Sequence, residues 1–310
     1  MNKYEIVIES TGDANEELRV KLGLYKDYIQ NIVYLTPEKE IKADLDWKNF
    51  TPKQYFTLVK KNAGKIKTAF ANYEEFKRVI EPILLEGKDA IIVTISTGIS
   101  GTYGSFKLYA QDLMEEYPNR KIGVIDSLKY SSAISLLGYY MAQNRDNGMS
   151  FDDNMEFANE FRFRIHEAGP MDDLSFLAKN GRISATKAFF GGLAGVNPIA
   201  DFTIKGMSAP LGTIKGEKQA NEVALKYLLK TATDLENQIV IIAHSDRLAR
   251  ANEFKEQLLK ATKVKDVVIT SVGQSCGPNI GPGLCCYFYV GNPLTEGRKE
   301  ELEAFNEAQK

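Results

Sequence analysis

The sequence predicts an α/β protein of two domains. An N-terminal domain on a parallel sheet takes residues 1–168, and a C-terminal α/β domain with a mixed sheet takes residues 169–310. Three observations predict it. The chain has 310 residues, too many for one ordinary small core and about right for two. In the first half, short β-branched runs alternate with helical stretches, the pattern of strands buried on both faces of a parallel sheet. In the second half, Lys205-Gly206 sits between two strand-like runs, a hairpin signal that a purely parallel sheet lacks.

The elements follow in order. Tyr4 to Ile8 alternates apolar and polar and reads as a strand, Ser10-Thr11-Gly12-Asp13 turns the chain, and Glu16 to Leu22 reads as helix. Thr51-Pro52 is a helix start, with threonine as cap and proline at the first helical position. Asn72 with Glu75 three residues on opens a helix that should reach Leu85 and stop at Gly87, with Pro82 predicting a kink or an early end. Ala90 to Ile95 is a buried strand, and a helix to about Glu116 follows the loop Ser96 to Gly101. Lys121 to Ile125 is the next strand, ending at Asp126-Ser127, and a helix spans about Ser131 to Asn147. Past a domain boundary near Glu167 to Pro170, short helices at Asp172 to Lys179 and Ala185 to Gly191 flank Asn180-Gly181-Arg182. The predicted hairpin runs Ile199 to Ile204 and Met207 to Thr213. Helices at Glu217 to Leu229 and Arg247 to Ala261 alternate with strands at Gln238 to Ala243 and Val264 to Val272. Gly273 to Gly283 is rich in glycine and proline, and Leu284 to Val290 is apolar.

Composition removes several classes of function. Hydrophobic residues make up 44% and charged residues 26%, a globular balance rather than a disordered one. The net charge of -2 provides no basic excess for nucleic acid, and the charges form no polybasic block for an anionic membrane. The first apolar stretch is short and broken by Glu5 and Glu9, so it reads as a strand and not a signal peptide, and no run suits a bilayer span. A soluble cytoplasmic protein without stable membrane insertion is expected. Cys276, Cys285 and Cys286 form neither a disulfide framework nor a zinc pattern.

The segment Ile95-Ser96-Thr97-Gly98-Ile99-Ser100-Gly101-Thr102-Tyr103 concentrates the chemistry. Hydroxyls and glycines follow a buried strand and open a helix, which suits free backbone N–H groups and hydroxyls to a carboxylate or phosphate. The same spacing also describes an ordinary strand-to-helix turn. It is not a P-loop, since no Gly-Lys-Ser/Thr follows, and it lacks the Gly-x-Ser-x-Gly spacing of a nucleophile elbow. A serine hydrolase would need His166 or His244 as its base. Asn180-Gly181-Arg182-Ile183-Ser184 either projects a guanidinium from a tight turn or makes a surface ion pair. Cys276-Gly277-Pro278-Asn279-Ile280-Gly281-Pro282-Gly283 is either loop punctuation or a place where backbone comes close to a ligand.

In this order the segments resemble the DegV family. They are Ile95 to Tyr103, Asp126-Ser127, Asp173-Leu174 to Leu177, Gly181-Arg182-Ile183-Ser184, Pro198-Ile199 and Gly281-Pro282-Gly283, spread over nearly the whole chain. The resemblance implies a two-domain fold with a ligand tunnel between the domains that takes one long-chain fatty acid. It implies an acyl carrier that works with a partner fatty acid kinase, without catalytic residues, metal or cofactor beyond the bound fatty acid. Carried over, Ser96, Thr97 and Thr68 hold the carboxylate and Arg182 faces the kinase. Four positions depart from the family pattern: Glu9-Ser10 replaces Asp-Ser, Thr68-Ala69-Phe70-Ala71 replaces Thr-Ser-x-Pro, Asn197-Pro198 replaces Lys-Pro, and Asn279 stands where the family usually has histidine. Asparagine can still donate to a carboxylate but does not titrate. Burying a chain of about sixteen carbons gains on the order of 10 kcal/mol before ordering costs, so neutral donors suffice at the head group. Phe189, Phe190 and Leu193 add to the apolar supply. The alternatives are a small-anion or phosphosugar-binding module on the same loop and a serine-dependent hydrolase.

Overall fold

The computed structural model describes residues 3–182 and 196–310. The expected helix at 185–191, together with Ile183, Ser184, Phe189, Phe190 and Leu193, lies outside the described residues. In chain order the elements are β1 (Tyr4–Ile8), α1 (Glu16–Lys21), β2 (Ile32–Thr36), β3 (Lys39–Lys42), α2 (Pro52–Lys61), β4 (Lys67–Ala69), α3 (Tyr73–Leu85), β5 (Asp89–Thr94), α4 (Thr102–Glu116), β6 (Ile122–Asp126), α5 (Ser132–Asp146), α6 (Phe151–Phe161), β7 (Ile165–Ala168), α7 (Ser175–Lys179), β8 (Val196–Phe202), β9 (Ser208–Lys215), α8 (Glu217–Thr231), β10 (Ile239–His244), α9 (Leu248–Ala261), β11 (Asp266–Ser271), α10 (Gly277–Ile280), β12 (Cys285–Val290) and α11 (Lys299–Ala308). Two compact units result. The first holds residues 1–49, 66–162 and 273–275; the second holds 50–65, 163–272 and 276–310.

The first unit is built on the parallel sheet β1-β5-β6, with Val7 opposite Ile92 and Ile92 opposite Val124. Its strands are buried almost throughout, as near-continuous β-branched runs require. Helices α3 and α4 close one core around Phe76 and Phe106, whose rings meet edge to face at 5.3 Å. Asn72 caps α3 by accepting from the Glu75 amide at 3.0 Å, as its spacing predicts. The helix does not stop early at Pro82. It runs through to Leu85, because the proline lies in the last turn and its carbonyl still accepts from the Glu86 amide. A second, antiparallel sheet, β3-β2-β4, is the feature that the sequence reading lacked. The strand at β3 is Lys39-Glu40-Ile41-Lys42, a charged edge with too little apolar alternation to register as a strand.

The second unit carries the mixed sheet β11-β10-β12-β7, in which β10 pairs parallel with β11 and antiparallel with β12. The hairpin β8–β9 is present, but its strands end at Phe202 and restart at Ser208, so the turn is wider than Lys205-Gly206 alone. Thr51 caps α2 in a reciprocal box with Gln54, as expected. The unit's core gathers Phe254, Tyr287, Tyr227 and Phe305 between sheet and helices. One ion pair is sealed in it. His166 Nδ1 lies 2.6 Å from Asp201 Oδ2, and Nε2 lies 2.6 Å from the Asn292 carbonyl. Both partner atoms are acceptors, so the ring is held between two groups that favour its donating N–H. Asp201 also accepts from Tyr227 Oη and from the Glu167 and Phe202 amides. Burial pushes the Asp201 carboxyl up, but the His166 charge and these donors outweigh it and hold the group below its ordinary value.

Among the described residues no helix is long and apolar enough to cross a membrane, and no group of three or more His, Cys, Asp or Glu is arranged to hold a metal ion.

Candidate functional site

The Ser96 loop leaves the buried end of β5 in the first unit. Ser96 is fully buried, whereas Thr97 and Gly98 are exposed. The spacing suggested free amides at the helix end, and α4 indeed opens at Gly101 without a side-chain cap, while the amides before it are taken. Ile95 N–H donates to Glu9 Oε1 at 3.0 Å, and Ser96 N–H to the Lys129 carbonyl at 2.9 Å. Thr97 N–H donates to Asp126 Oδ1 at 3.1 Å, and Gly98 N–H to Ser96 Oγ at 3.0 Å. The Ile99 and Ser100 amides both donate to the Ser96 carbonyl at 3.0 Å. Six consecutive amides, from Ile95 to Ser100, are thus satisfied within the unit. Thr97 is further committed, because its hydroxyl donates to Asp126 Oδ2 at 2.6 Å. Ser96 differs. Its oxygen accepts from Gly98, and among the described residues its own hydrogen meets no acceptor, so one buried O–H is left to donate.

Asp126 was visible in the sequence as half of Asp126-Ser127, but its role was not. It ends β6 beside Thr94 of β5 and accepts from Thr97 twice and from the Leu128 amide at 3.1 Å. Arg162 Nη1 donates to the Asp126 carbonyl at 2.6 Å. Burial holds the Arg162 guanidinium below its usual range, with Asp126 and Tyr103 opposing.

Thr68 sits half-buried in β4, opposite Val33 of β2. The Thr68 strand and the Ser96 loop are fastened to the same clamp. Ala71 N–H donates to Asn31 Oδ1 at 3.1 Å, Asn31 Nδ2 donates to Glu9 Oε2 at 2.6 Å, and Glu9 Oε1 takes the Ile95 amide. Phe70, next in the chain, lies beside Gly101 at the loop's far end, where a Cβ would meet its ring at 3.7 Å. This clamp accounts for two of the departures from the family pattern. A proline at position 71 has no N–H to give Asn31, and the longer glutamate at position 9 reaches both Asn31 and Ile95. Asn31 escaped the sequence reading because a lone polar residue before an apolar strand carries no spacing signal.

The clamp is electrostatically demanding. Burial drives the Glu9 carboxyl up, and hydrogen bonds from Thr11, Ile95 and Asn31 oppose the rise without cancelling it. Asp13 lies nearby, accepts from Ser131 Oγ and the Gly273 amide, and is raised from 3.8 to about 7, chiefly by burial. A group raised on folding adds stability that is full below its unfolded value and is lost as pH rises through the folded one. Asp13 should therefore withdraw stability from the first unit between about pH 4 and pH 7, by up to on the order of 4 kcal/mol. Urea unfolding across that range checks it: Asp13→Asn should flatten the slope, and an unchanged slope would clear Asp13 of it.

The remaining predicted residues belong to the second unit. Asn279 is half-buried in α10, with its amide on the Cys276 carbonyl. The neighbouring glycines are needed for close packing against the Asp172–Phe176 stretch. Gly281 has φ 74° with the Phe176 ring directly over it, and a Cβ on Gly283 would stand 2.6 Å from Asp172 Cβ. Asn180 Nδ2 donates to the Pro278 carbonyl at 3.3 Å and ties the Asn180-Gly181 turn to α10. Arg182 follows at the edge of that turn, half-buried, its guanidinium folded back on the Asn180 carbonyl.

Neither histidine is arranged as a serine's base. One ring nitrogen of His166 is engaged with Asp201 and the other with the Asn292 carbonyl. His244 Nδ1 accepts from the Arg247 amide at 3.2 Å, and burial lowers the ring to about 4 against the pull of Asp246. The three cysteines are buried and form no disulfide among the described residues, and burial pushes Cys285 up to about 12.

The fold and the loop define a two-unit α/β protein with a buried serine hydroxyl, that of Ser96, just past the end of a parallel strand. The chain belongs to the DegV family: the model of the family described as "Uncharacterised protein, DegV family" matches residues 3–292. A DegV domain-containing protein of Clostridium perfringens is 27% identical over 293 residues, 94% of this chain and 99% of that one. Among solved structures, the fold matches a DegV family protein from Thermus thermophilus described by its fatty acid binding, with a TM-score of 0.81 and 24% identity over 93% of this chain and 99% of that one. It also matches a stearic acid-binding protein from Eubacterium ventriosum, with a TM-score of 0.80 and 23% identity over 93% of this chain and 98% of that one.

Proposed function

We propose that this chain binds one long-chain fatty acid in a buried tunnel and presents its carboxylate, acting as a carrier and not as a catalyst. The observation that carries the reading is the fully buried Ser96 hydroxyl with its hydrogen left to give. A neutral O–H suits a carboxylate whose affinity comes mainly from its apolar chain. Fatty acid binding in the Thermus and Eubacterium proteins of the same fold supports it. Thr68, fastened to the same clamp, and Asn279 complete the head-group set in this reading, and Thr97 shapes the loop around them. The fatty acid is the ligand, with no further cofactor, and the working place is the cytoplasm. The engagement of both histidines elsewhere argues for carriage over hydrolysis. Where a fatty acid kinase exists, Arg182 on its tight turn is the docking residue.

Mass spectrometry of a solvent extract of the purified protein tests the ligand class, and a stoichiometric fatty acid is expected. Ser96→Ala should weaken acyl binding by about 1 to 3 kcal/mol, since a buried carboxylate loses a donor. An unchanged dissociation constant would move the head group away from this loop.

A further inference from the structure

β5 is the middle strand of the parallel sheet, so the Ser96 loop leaves between the exits of β1 and β6. Each neighbour holds it by one amide. Glu9, past β1, takes the Ile95 N–H at 3.0 Å, and the Lys129 carbonyl, past β6, takes the Ser96 N–H at 2.9 Å. The two exits are also tied to each other. Ser131 Oγ donates to Asp13 Oδ2 at 2.5 Å, and Ser135 Oγ donates to the Gly12 carbonyl at 2.7 Å. Ser96 therefore sits inside a closed frame.

The Ser131 corner of that frame breaks two local rules. Ser131 has φ 56° and ψ -150°, a backbone that glycine adopts freely and a side chain resists. It also directly precedes α5, where a serine ordinarily caps the helix, yet it makes no cap bond and gives its hydroxyl to Asp13. Asp13 itself has φ 55°, and Leu128, on the same exit as Ser131, has φ 54°. Among the described residues seven non-glycines have positive φ, and three of them meet at this frame. Strain of this kind persists only where the surroundings hold it, and it collects where a site needs a fixed geometry. Here the surroundings are closed, because Asp13, Leu128, Ser131 and Ser96 are all buried.

We propose that Asp13 and Ser131 are positioning residues whose bond closes the frame and so aims the Ser96 hydroxyl at the fatty acid carboxylate. The inference rests on the fatty-acid reading and deepens it. Neither residue touches the ligand. Asp13 holds Ser131 in its strained turn, the turn sets the Lys129 carbonyl two residues back, and that carbonyl fixes Ser96 through its amide. A hydroxyl placed before the ligand arrives spares the ordering cost at the head group.

The test separates aim from stability. Ser131→Ala loses the bond and keeps the strain; Ser131→Gly loses both. Ser131→Gly should unfold at higher denaturant than Ser131→Ala, because glycine accepts this backbone. Both should bind palmitic acid about tenfold more weakly than wild type. Native-state amide exchange should quicken at Ser96 in both, relative to Ile92 within β5. A serine with a structural role alone would let binding recover together with stability. Asp13→Gly cuts the same bond from the other side, at a left-handed position that suits glycine, and should repeat the loss of about tenfold. Wild-type affinity in a folded Ser131→Gly overturns the inference, and so does an unchanged Ser96 exchange rate. Failure of all three variants to fold overturns it too, because the bond would then hold the unit rather than aim the loop. Wild-type protein that binds no fatty acid removes the fatty-acid reading, and this inference with it. Wild-type binding that the variants leave intact removes only the inference.

Discussion

Replacing Gly169 by alanine should cost the second unit at least about 4 kcal/mol of stability or prevent it from folding. Gly169 follows directly on β7, whose Ala168 faces Tyr287 of β12. A Cβ there would fall far inside van der Waals contact of the Cys285 carbonyl oxygen and the Cys286 Cα, both main-chain atoms. Those atoms cannot retreat. Cys285 and Cys286 are paired on their other side with His244 and Ala243 of β10, and the Cys285 amide donates to the Pro170 carbonyl. Relief of the clash would pull β12 off one neighbour or the other and open the centre of the four-stranded sheet. Gly212 makes the useful contrast. Its added Cβ would press on the Phe305 ring, a side chain that can rotate, so Gly212→Ala should cost less. Denaturant unfolding of both variants checks the pair. A loss below about 1 kcal/mol for Gly169→Ala would mean that β12 sits farther from β7 than its pairing requires.

The parallel sheet was legible because both faces of β1, β5 and β6 are buried, and burial on both faces leaves a continuous apolar run in the sequence. The sheet β3-β2-β4 was not legible, because its strands are short, its edge is charged and β4 joins β2 from more distant chain. The loop from Ser96 to Ser100 divides in the same way. Its hydroxyls and glycines mark where the chemistry lies, but whether an amide is free depends on partners at Glu9, Asp126 and Lys129 that no local spacing reveals. The departures from the family pattern looked like losses one residue at a time. In three dimensions Glu9 and Ala71 meet through Asn31, and each makes the other usable.

That interdependence gives the second large effect. Asn31→Leu, close to isosteric and apolar, should destabilise the first unit by about 3 to 5 kcal/mol, the range for breaking a buried, hydrogen-bonded charge network. Asn31 is 4% exposed and Glu9 is 0% exposed, so water cannot replace the lost bonds without opening the unit. Leucine would leave the Ala71 amide without its acceptor and the Glu9 carboxylate without its 2.6 Å donor. Burial already raises Glu9, and removing a donor that favours its charged form raises it further. A raised carboxyl adds stability at low pH and loses it as pH climbs through its folded value, so the deficit of Asn31→Leu should grow with pH. Chemical denaturation at mildly acidic and mildly alkaline pH reads both the size and the slope. A deficit that is constant across pH would separate Asn31 from Glu9 and reduce its role to packing. A growing deficit would fit one proton-sensitive clamp that fastens both the Thr68 strand and the Ser96 loop, and loosening it should weaken acyl binding although Asn31 itself is not among the proposed head-group residues.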